Sequence, residues 1–296
     1  MFRERVFADA TSGYKDADFV IFGVPFDATS SFRYGSREAP DAMRRASYNF
    51  ETYNDSLDVD LTDLRIHDLG DIDLDVRTGE MLHRVCDVTA MILRDNKIPI
   101  ALGGEHTLTY GCARAFTGTF DGPGSDYGMI ILDAHLDLRD EYLGVEQSHA
   151  CVSRNIIDDL TDKCVLIGVR SGSAEEYAYA RTEGILWHSA DEVNDAGMGS
   201  VVREALDALF DRGCEQIYLS IDADVIDPAY APGVGNPEPF GLSPRDVRAA
   251  IRLAAPYTCG LDIVEVNPGY DHGESAMLGA RLVREFIAAK SVCLLG

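Results

Sequence analysis

Eight short apolar runs recur along the chain, and they limit its fold more than any other feature. They are FVIFGV from Phe19, RIHDLG from Arg65, IPIALGG from Ile98, GMIILDAH from Gly128, CVLIGVR from Cys164, GILWHS from Gly184, QIYLSIDAD from Gln216 and GLDIVEVNP from Gly260. Between them, segments such as Glu80 to Asn96 and Val201 to Arg212 carry apolar residues at helical spacing. Strands alternating with helices imply βαβ units, so the expected fold is a three-layer α/β/α sandwich around a mostly parallel sheet of about eight strands. No linker or internal repeat interrupts this rhythm, and residues 1–296 read as one domain. The glycine- and proline-rich stretch Pro228 to Gly241 reads as a long functional loop within it.

Ligands of open parallel sheets bind outside the carboxyl ends of the strands, so the residues directly after each apolar run matter most. GGEHT presents His106, DAHLD presents Asp133, His135 and Asp137, and SIDAD presents Asp222 and Asp224. Asp133, His135 and Asp137 would share one face if the extended chain continued past Leu132. Two imidazoles and four carboxylates suit hard to borderline divalent ions such as Mn²⁺, and the absence of thiols argues against structural zinc. Without metal, clustered acids would repel one another and be driven toward protonation; two divalent cations would neutralise them. Such a pair of ions could hold a bridging hydroxide as nucleophile at neutral pH.

The formal net charge is −24, and Lys15, Lys97, Lys163 and Lys290 are the only lysines. Nucleic acid is therefore excluded as a natural partner, whereas a small cationic substrate would be drawn in. An acidic, lysine-poor surface is also the habit of halophilic proteins. The seven cysteines form no CxxC pair, and several sit in apolar runs as buried thiols do. No secretory leader and no run of membrane-spanning length is evident, so the expectation is a cytoplasmic protein without a membrane partner.

GGEHT, DAHLD, SIDADVIDPAYAPGVGNPEPFGL and VEVNP, preceded by GVPFD and SSFRYGSREAPDAMR, resemble in order the signature blocks of the ureohydrolases, the family of arginase and agmatinase. The likeness covers nearly the whole chain and implies the arginase-like fold, two Mn²⁺ per subunit and a homo-oligomer, trimer or hexamer. It further implies that His106, Asp133, Asp137 and Asp222 hold one ion and His135, Asp133, Asp222 and Asp224 the other, with Asp133 and Asp222 bridging. Asp137 counts among the catalytic residues on this reading, Glu265 binds the substrate guanidinium, and His149 transfers a proton to the departing amine. The chain departs from the family pattern at Ala150, where glycine usually follows the histidine. It also departs at Asn236, Phe240, Tyr34 and Ala39, where the usual residues are Thr, Gly, Pro and Gly.

The resemblance implies hydrolysis of a guanidino compound to an amine and urea, agmatine or a related decarboxylated amine being expected. Arginases carry an Asn and an Asp where Arg139 and Ser173 stand here, and Ser173 offers no charge to an α-ammonium. Arg139 could pair with a substrate carboxylate or lie as a solvated loop charge beside Asp140 and Glu141. Guanidinobutyrate, arginine and formiminoglutamate are the alternative substrates, and an inactive polyamine-binding scaffold is the alternative of another class. Asp227-Pro228 reads as a turn, GDIDLD from Gly70 as a solvated loop, and Arg33, Arg37 and Arg44 as anchors of surface or subunit contacts.

The charge generates a test of its own. Surface repulsion is relieved only when the Debye length shrinks to roughly 3 Å near 1 M salt, so the melting temperature is expected to climb with KCl. A melting temperature unchanged between dilute buffer and molar KCl contradicts the halophilic reading.

Overall fold

The apolar runs become the strands of one sheet. The computed structural model describes residues 6–73, 76–119 and 127–295. Its strands are β1 (Phe19–Val24), the short antiparallel pair β2 (Tyr53–Asn54) and β3 (Val59–Asp60), β4 (Ile66–Asp71), β5 (Ile98–Gly103), β6 (Tyr127–Leu132), β7 (Cys164–Val169), β8 (Leu186–Ser189), β9 (Gln216–Asp222) and β10 (Thr258–Val264). All but β2 and β3 form an eight-stranded parallel sheet in the order β4-β1-β5-β10-β9-β6-β7-β8. The three-layer expectation is met.

The helices are α1 (Ala39–Ser47), α2 (Thr78–Arg94), α3 (Leu108–Thr119), α4 (Val152–Asp159), α5 (Ala174–Glu183), α6 (Ala190–Ala196), α7 (Met198–Asp211), α8 (Pro244–Ala254) and α9 (Glu274–Leu295). Because strand residues alternate between faces, Phe19, Ile21, Ile100 and Leu219 pack with apolar residues of α1, α7, α8 and α9. Val20, Phe22, Ala101 and Met129 face the other way, onto α2, α3, α4 and α5. Burial on both faces is the condition under which a fully parallel sheet is stable. Among the described residues no helix is long and apolar enough to cross a membrane.

Two surface expectations change. Arg44 is buried, and its guanidinium pairs with Asp68 at 2.8 Å and with Asp71. GDIDLD accordingly begins inside the sheet, since Gly70 and Asp71 finish β4, while Leu74 and Asp75 lie outside the described residues. Arg37 pairs with Asp27, and Arg33 donates to the Pro232 carbonyl at 3.2 Å while lying over the Tyr270 ring. Asp227 does make a turn: its carboxylate accepts from the Ala229 N–H and the Gly241 N–H, both at 2.9 Å, and so closes the 228–241 loop on itself.

The two glycines after β5 are required by close approach. A Cβ on Gly103 would lie 2.6 Å from Val264 on β10, and one on Gly104 would lie 1.9 Å from the Phe26 carbonyl oxygen. The chain thus passes between the ends of β1 and β10 on its way to His106. Overpacking a tight site costs about 1–3 kcal/mol, and a backbone obstacle cannot swing aside. Gly104→Ala is therefore expected to lower the denaturant midpoint by that equivalent, and an unchanged midpoint contradicts this reason for the glycine.

Candidate metal centre and active site

Four neighbouring strands in the middle of the sheet, β5, β10, β9 and β6, deliver the site at their carboxyl ends. His106 follows the glycine pair of β5, Asp133 follows β6, Asp222 ends β9 and Glu265 follows β10. The strand comb foreseen for Asp133, His135 and Asp137 does not form. β6 stops at Leu132, His135 makes only an isolated bridge to Ser171, and Asp137 has φ 52°, so a turn rather than strand alternation carries it inward. Asp224 likewise leaves the strand in a 3₁₀ turn, where its N–H donates to Asp222 at 2.8 Å. Asp137 and Glu265 (φ 60°) are both non-glycine residues in the left-handed region, a strain of about 1–3 kcal/mol each that tends to gather at functional sites.

These loops bring the expected residues together. His106 Nδ1 lies 3.1 Å from Asp133 Oδ2 and 3.3 Å from both Asp137 Oδ2 and Asp222 Oδ2. His135 Nδ1 lies 3.1 Å from Asp224 Oδ2 and 3.5 Å from Asp133 Oδ1. The donors form two overlapping triads, His106 with Asp133 and Asp137 and Asp133 with His135 and Asp224, and Asp133 turns one oxygen to each.

The far side of His106 explains how its ring is set. Nε2 lies 3.0 Å from Ser220 Oγ, and that hydroxyl donates to Asp262 Oδ1 at 2.6 Å. Asp262 also accepts from Thr109 at 2.9 Å and from the Tyr218 hydroxyl at 2.8 Å. With the Ser220 proton committed to Asp262, Nε2–H is the donor and Nδ1 keeps its lone pair. That lone pair faces three carboxylate oxygens, and both His106 Nδ1 and Asp133 Oδ2 are buried without a hydrogen bond. A cation between them removes the conflict.

Electrostatics point the same way. Burial resists charge on His106, yet Asp133, Asp137 and Asp222 together drive its pKa well above the ordinary value. Burial and then the Asp133 charge push Asp137 up to about 7, and burial with the Asp224 and Asp133 charges pushes Asp222 up. Without a cation the cluster must therefore take up protons. The donors are oxygen and imidazole nitrogen with no thiol, so the residues fit one or two hard to borderline divalent ions.

The cluster floors a pocket of about 310 Å³ that is also lined by His149, Glu265, Arg139, Asn236 and Glu238. Glu265 accepts from the His106 N–H at 2.8 Å, and burial, followed by repulsion from Glu105, raises its pKa to about 8. No cationic side chain pairs with it among the described residues. A Cβ on Gly235 would lie 3.0 Å from Glu265 Oε2, so the 228–241 loop passes directly over this carboxylate. His149 opens a 3₁₀ turn capped by Ser148, and burial, then the nearby His135 and His106, lowers its pKa to about 4. Ala150 is not in the left-handed region, so this turn has no need of the family's glycine. Phe240 is: at φ 67° and 83% exposed, it stands on a glycine-favouring backbone in open solvent.

Several site residues were not evident in the sequence. Arg170, half-buried, donates to the Asp224 carbonyl at 2.6 Å, the Glu238 carbonyl at 2.8 Å and the Val225 carbonyl at 3.1 Å, tying the β9 turn to the long loop. Arg139 does not pair with Asp140 or Glu141. It approaches Glu176 at 3.5 Å and lies over Tyr142, while Asp140 faces Arg154 at 3.6 Å. Ser173 caps α5 in a reciprocal box with Glu176. Polar residues inside apolar strands, Ser220 and Asp262, were the available signal for the support behind His106.

A parallel sheet whose central strand ends gather histidines and aspartates over a pocket defines the class, a three-layer α/β/α fold with a candidate metal centre at its strand ends. The family model of the arginase family matches residues 17–289, and the chain belongs to that family. Its structure is similar to that of the agmatine ureohydrolase of Thermoplasma volcanium, with a TM-score of 0.91 at 40% identity over 100% of this chain and 97% of the other. Its sequence is 35% identical to the agmatinase of Pyrococcus horikoshii over 92% of each chain. It is also 35% identical to the human mitochondrial guanidino acid hydrolase, over 92% of this chain and 78% of that one.

Proposed function

We propose that this enzyme hydrolyses agmatine, or a related guanidino amine without an α-carboxylate, to an amine and urea. The observation that carries the proposal is Glu265, a buried carboxylate that has no cationic partner among the described residues and lines the pocket beside the histidine and aspartate cluster. A buried charge needs a partner, and a planar guanidinium supplies one with two parallel N–H donors. His106, Asp133, Asp137 and Asp222 would hold one Mn²⁺, and His135, Asp133, Asp222 and Asp224 the other. Asp133, with an oxygen toward each histidine, and Asp222 would bridge. When bound, such a pair lowers the pKa of water enough to supply a nucleophile at neutral pH.

The chain's own groups do the rest. Glu265 orients the guanidinium, and its N–H bond from His106 ties substrate position to the cluster. His149, neutral at pH 7, moves a proton toward the nitrogen of the departing amine. At the rim, Glu238 offers a carboxylate to a distal ammonium. Arg139 leans toward Glu176 at 3.5 Å, and the Ser173 hydroxyl caps α5 by accepting the Glu176 N–H, so Arg139 is drawn toward an acid of the chain and Ser173 offers no charge to an α-ammonium. Two relatives equal in identity and different in named substrate leave this rim charge as the deciding argument.

The test is urea release from agmatine, aminopropylagmatine, guanidinobutyrate and arginine under identical Mn²⁺ and KCl. The amines are expected to show the highest kcat/KM, and a chelator to abolish turnover until Mn²⁺ is returned. An acid turned over as well as the best amine overturns the substrate assignment, and no urea from any compound overturns the enzyme reading.

A further inference from the structure

Glu105 is fully buried, is not one of the candidate ligands, and enters the account above only through its repulsion of Glu265. Its carboxylate reaches across to the loop after β1. Oε2 accepts from the Thr29 N–H at 2.7 Å, and Oε1 accepts from the Thr29 hydroxyl at 2.8 Å. A threonine hydroxyl has one proton, so this short bond to an acid commits it. The other threonine near it, Thr107, lies farther off at 3.3 Å.

What remains on Thr29 Oγ1 is acceptor capacity, and His149 uses it twice. The His149 N–H donates to Thr29 Oγ1 at 3.1 Å, and His149 Nδ1 lies 3.3 Å from the same oxygen. An unprotonated Nδ1 would set lone pair against lone pair there. The Ser148 hydroxyl, 3.4 Å from Nδ1, accepts from the Ala150 N–H and can turn either a lone pair or its proton to the ring, so the tautomer is decided at Thr29. Nε2 lies on the other side of the ring, 3.3 Å from the hydroxyl of Ser31, which lines the pocket.

We propose that Glu105 and Thr29 form a positioning relay that fixes His149 in the Nδ1–H tautomer, leaving the Nε2 lone pair on the pocket side to take up a proton. The relay works by direction. Glu105 aims the Thr29 proton, the Thr29 oxygen aims the Nδ1 proton, and the reactive nitrogen is thereby chosen. It also accounts for the buried acid directly before His106: Glu105 faces away from the cluster, toward β1's loop. The use made of the Nε2 lone pair rests on the amidinohydrolase reading, but the tautomer does not.

The test is ¹H–¹⁵N correlation of the histidine side chains in ¹⁵N-histidine-labelled protein at pH 7. The buffer contains Mg²⁺, which unlike Mn²⁺ is not paramagnetic, and the His149 signals are assigned by their loss in His149→Asn. Thr29 is the residue to vary, because Glu105 adjoins His106. The parent is expected to show His149 protonated on Nδ1 alone. Thr29→Val should lose that preference and lower Mn²⁺-supported kcat by about 10- to 100-fold, the scale of losing an orienting partner, with KM little changed. Thr29→Ser should restore both. His149 protonated on Nε2 or on both nitrogens in the parent overturns the relay, as does an unchanged tautomer in Thr29→Val. The parent spectrum alone decides should the valine variant not fold. If the tautomers behave as stated while no guanidino compound yields urea, the enzyme reading fails and the relay stands.

Discussion

The rest of this structure is organised around four buried aspartates packed against two imidazoles. Asp133, Asp137, Asp222 and Asp224 are buried at adjoining strand ends with two imidazoles between them. Burial, and then the charge of neighbouring aspartates, pushes Asp137 and Asp222 above the usual carboxylate range, and the carboxylates around them raise both histidines despite burial. Divalent cations would balance the carboxylates without added protons. The strain at Asp137 and the orphaned Nδ1 of His106 follow from the same arrangement.

Holding such a centre requires rigid support, and the fold provides it from behind and from the side. The Ser220 and Asp262 pair fixes the His106 tautomer through two strands of the sheet. Arg170 clamps the Asp224 turn to the 228–241 loop through backbone carbonyls, and that loop in turn passes close over Glu265 at Gly235. The glycine pair after β5 lets the chain pass between β1 and β10 at a distance that side chains forbid. Position is thus set by strand order, and orientation by polar groups one layer away.

Much of this was legible in the sequence because apolar runs and their terminal residues are local signals. The eight strands are where the runs place them, and His106, Asp133, His135, Asp137, Asp222 and Asp224 lie close together at the strand ends, with His149 and Glu265 lining the same pocket. What was not legible depends on partners distant in the chain. Thr29 meets Glu105 across 76 residues, Arg170 reaches Glu238 across 68, and Arg139 finds Glu176 rather than the acids beside it. The Asp133 to Asp137 segment misled for a related reason. A period of two describes a strand, but β6 ends at Leu132 and the left-handed backbone at Asp137 brings the same three side chains in by another path. Ala150 looked like a departure in the motif, yet its backbone lies where alanine is at ease.

The central claim is that one shared carboxylate, Asp133, joins two cation sites into a single centre. Titrating Mn²⁺ into metal-free protein while recording electron paramagnetic resonance tests it most directly. The account requires two ions per chain and the spectrum of an exchange-coupled pair, with Asp133→Asn losing the coupling. One ion per chain, or two with the uncoupled spectrum of isolated Mn²⁺, would contradict it.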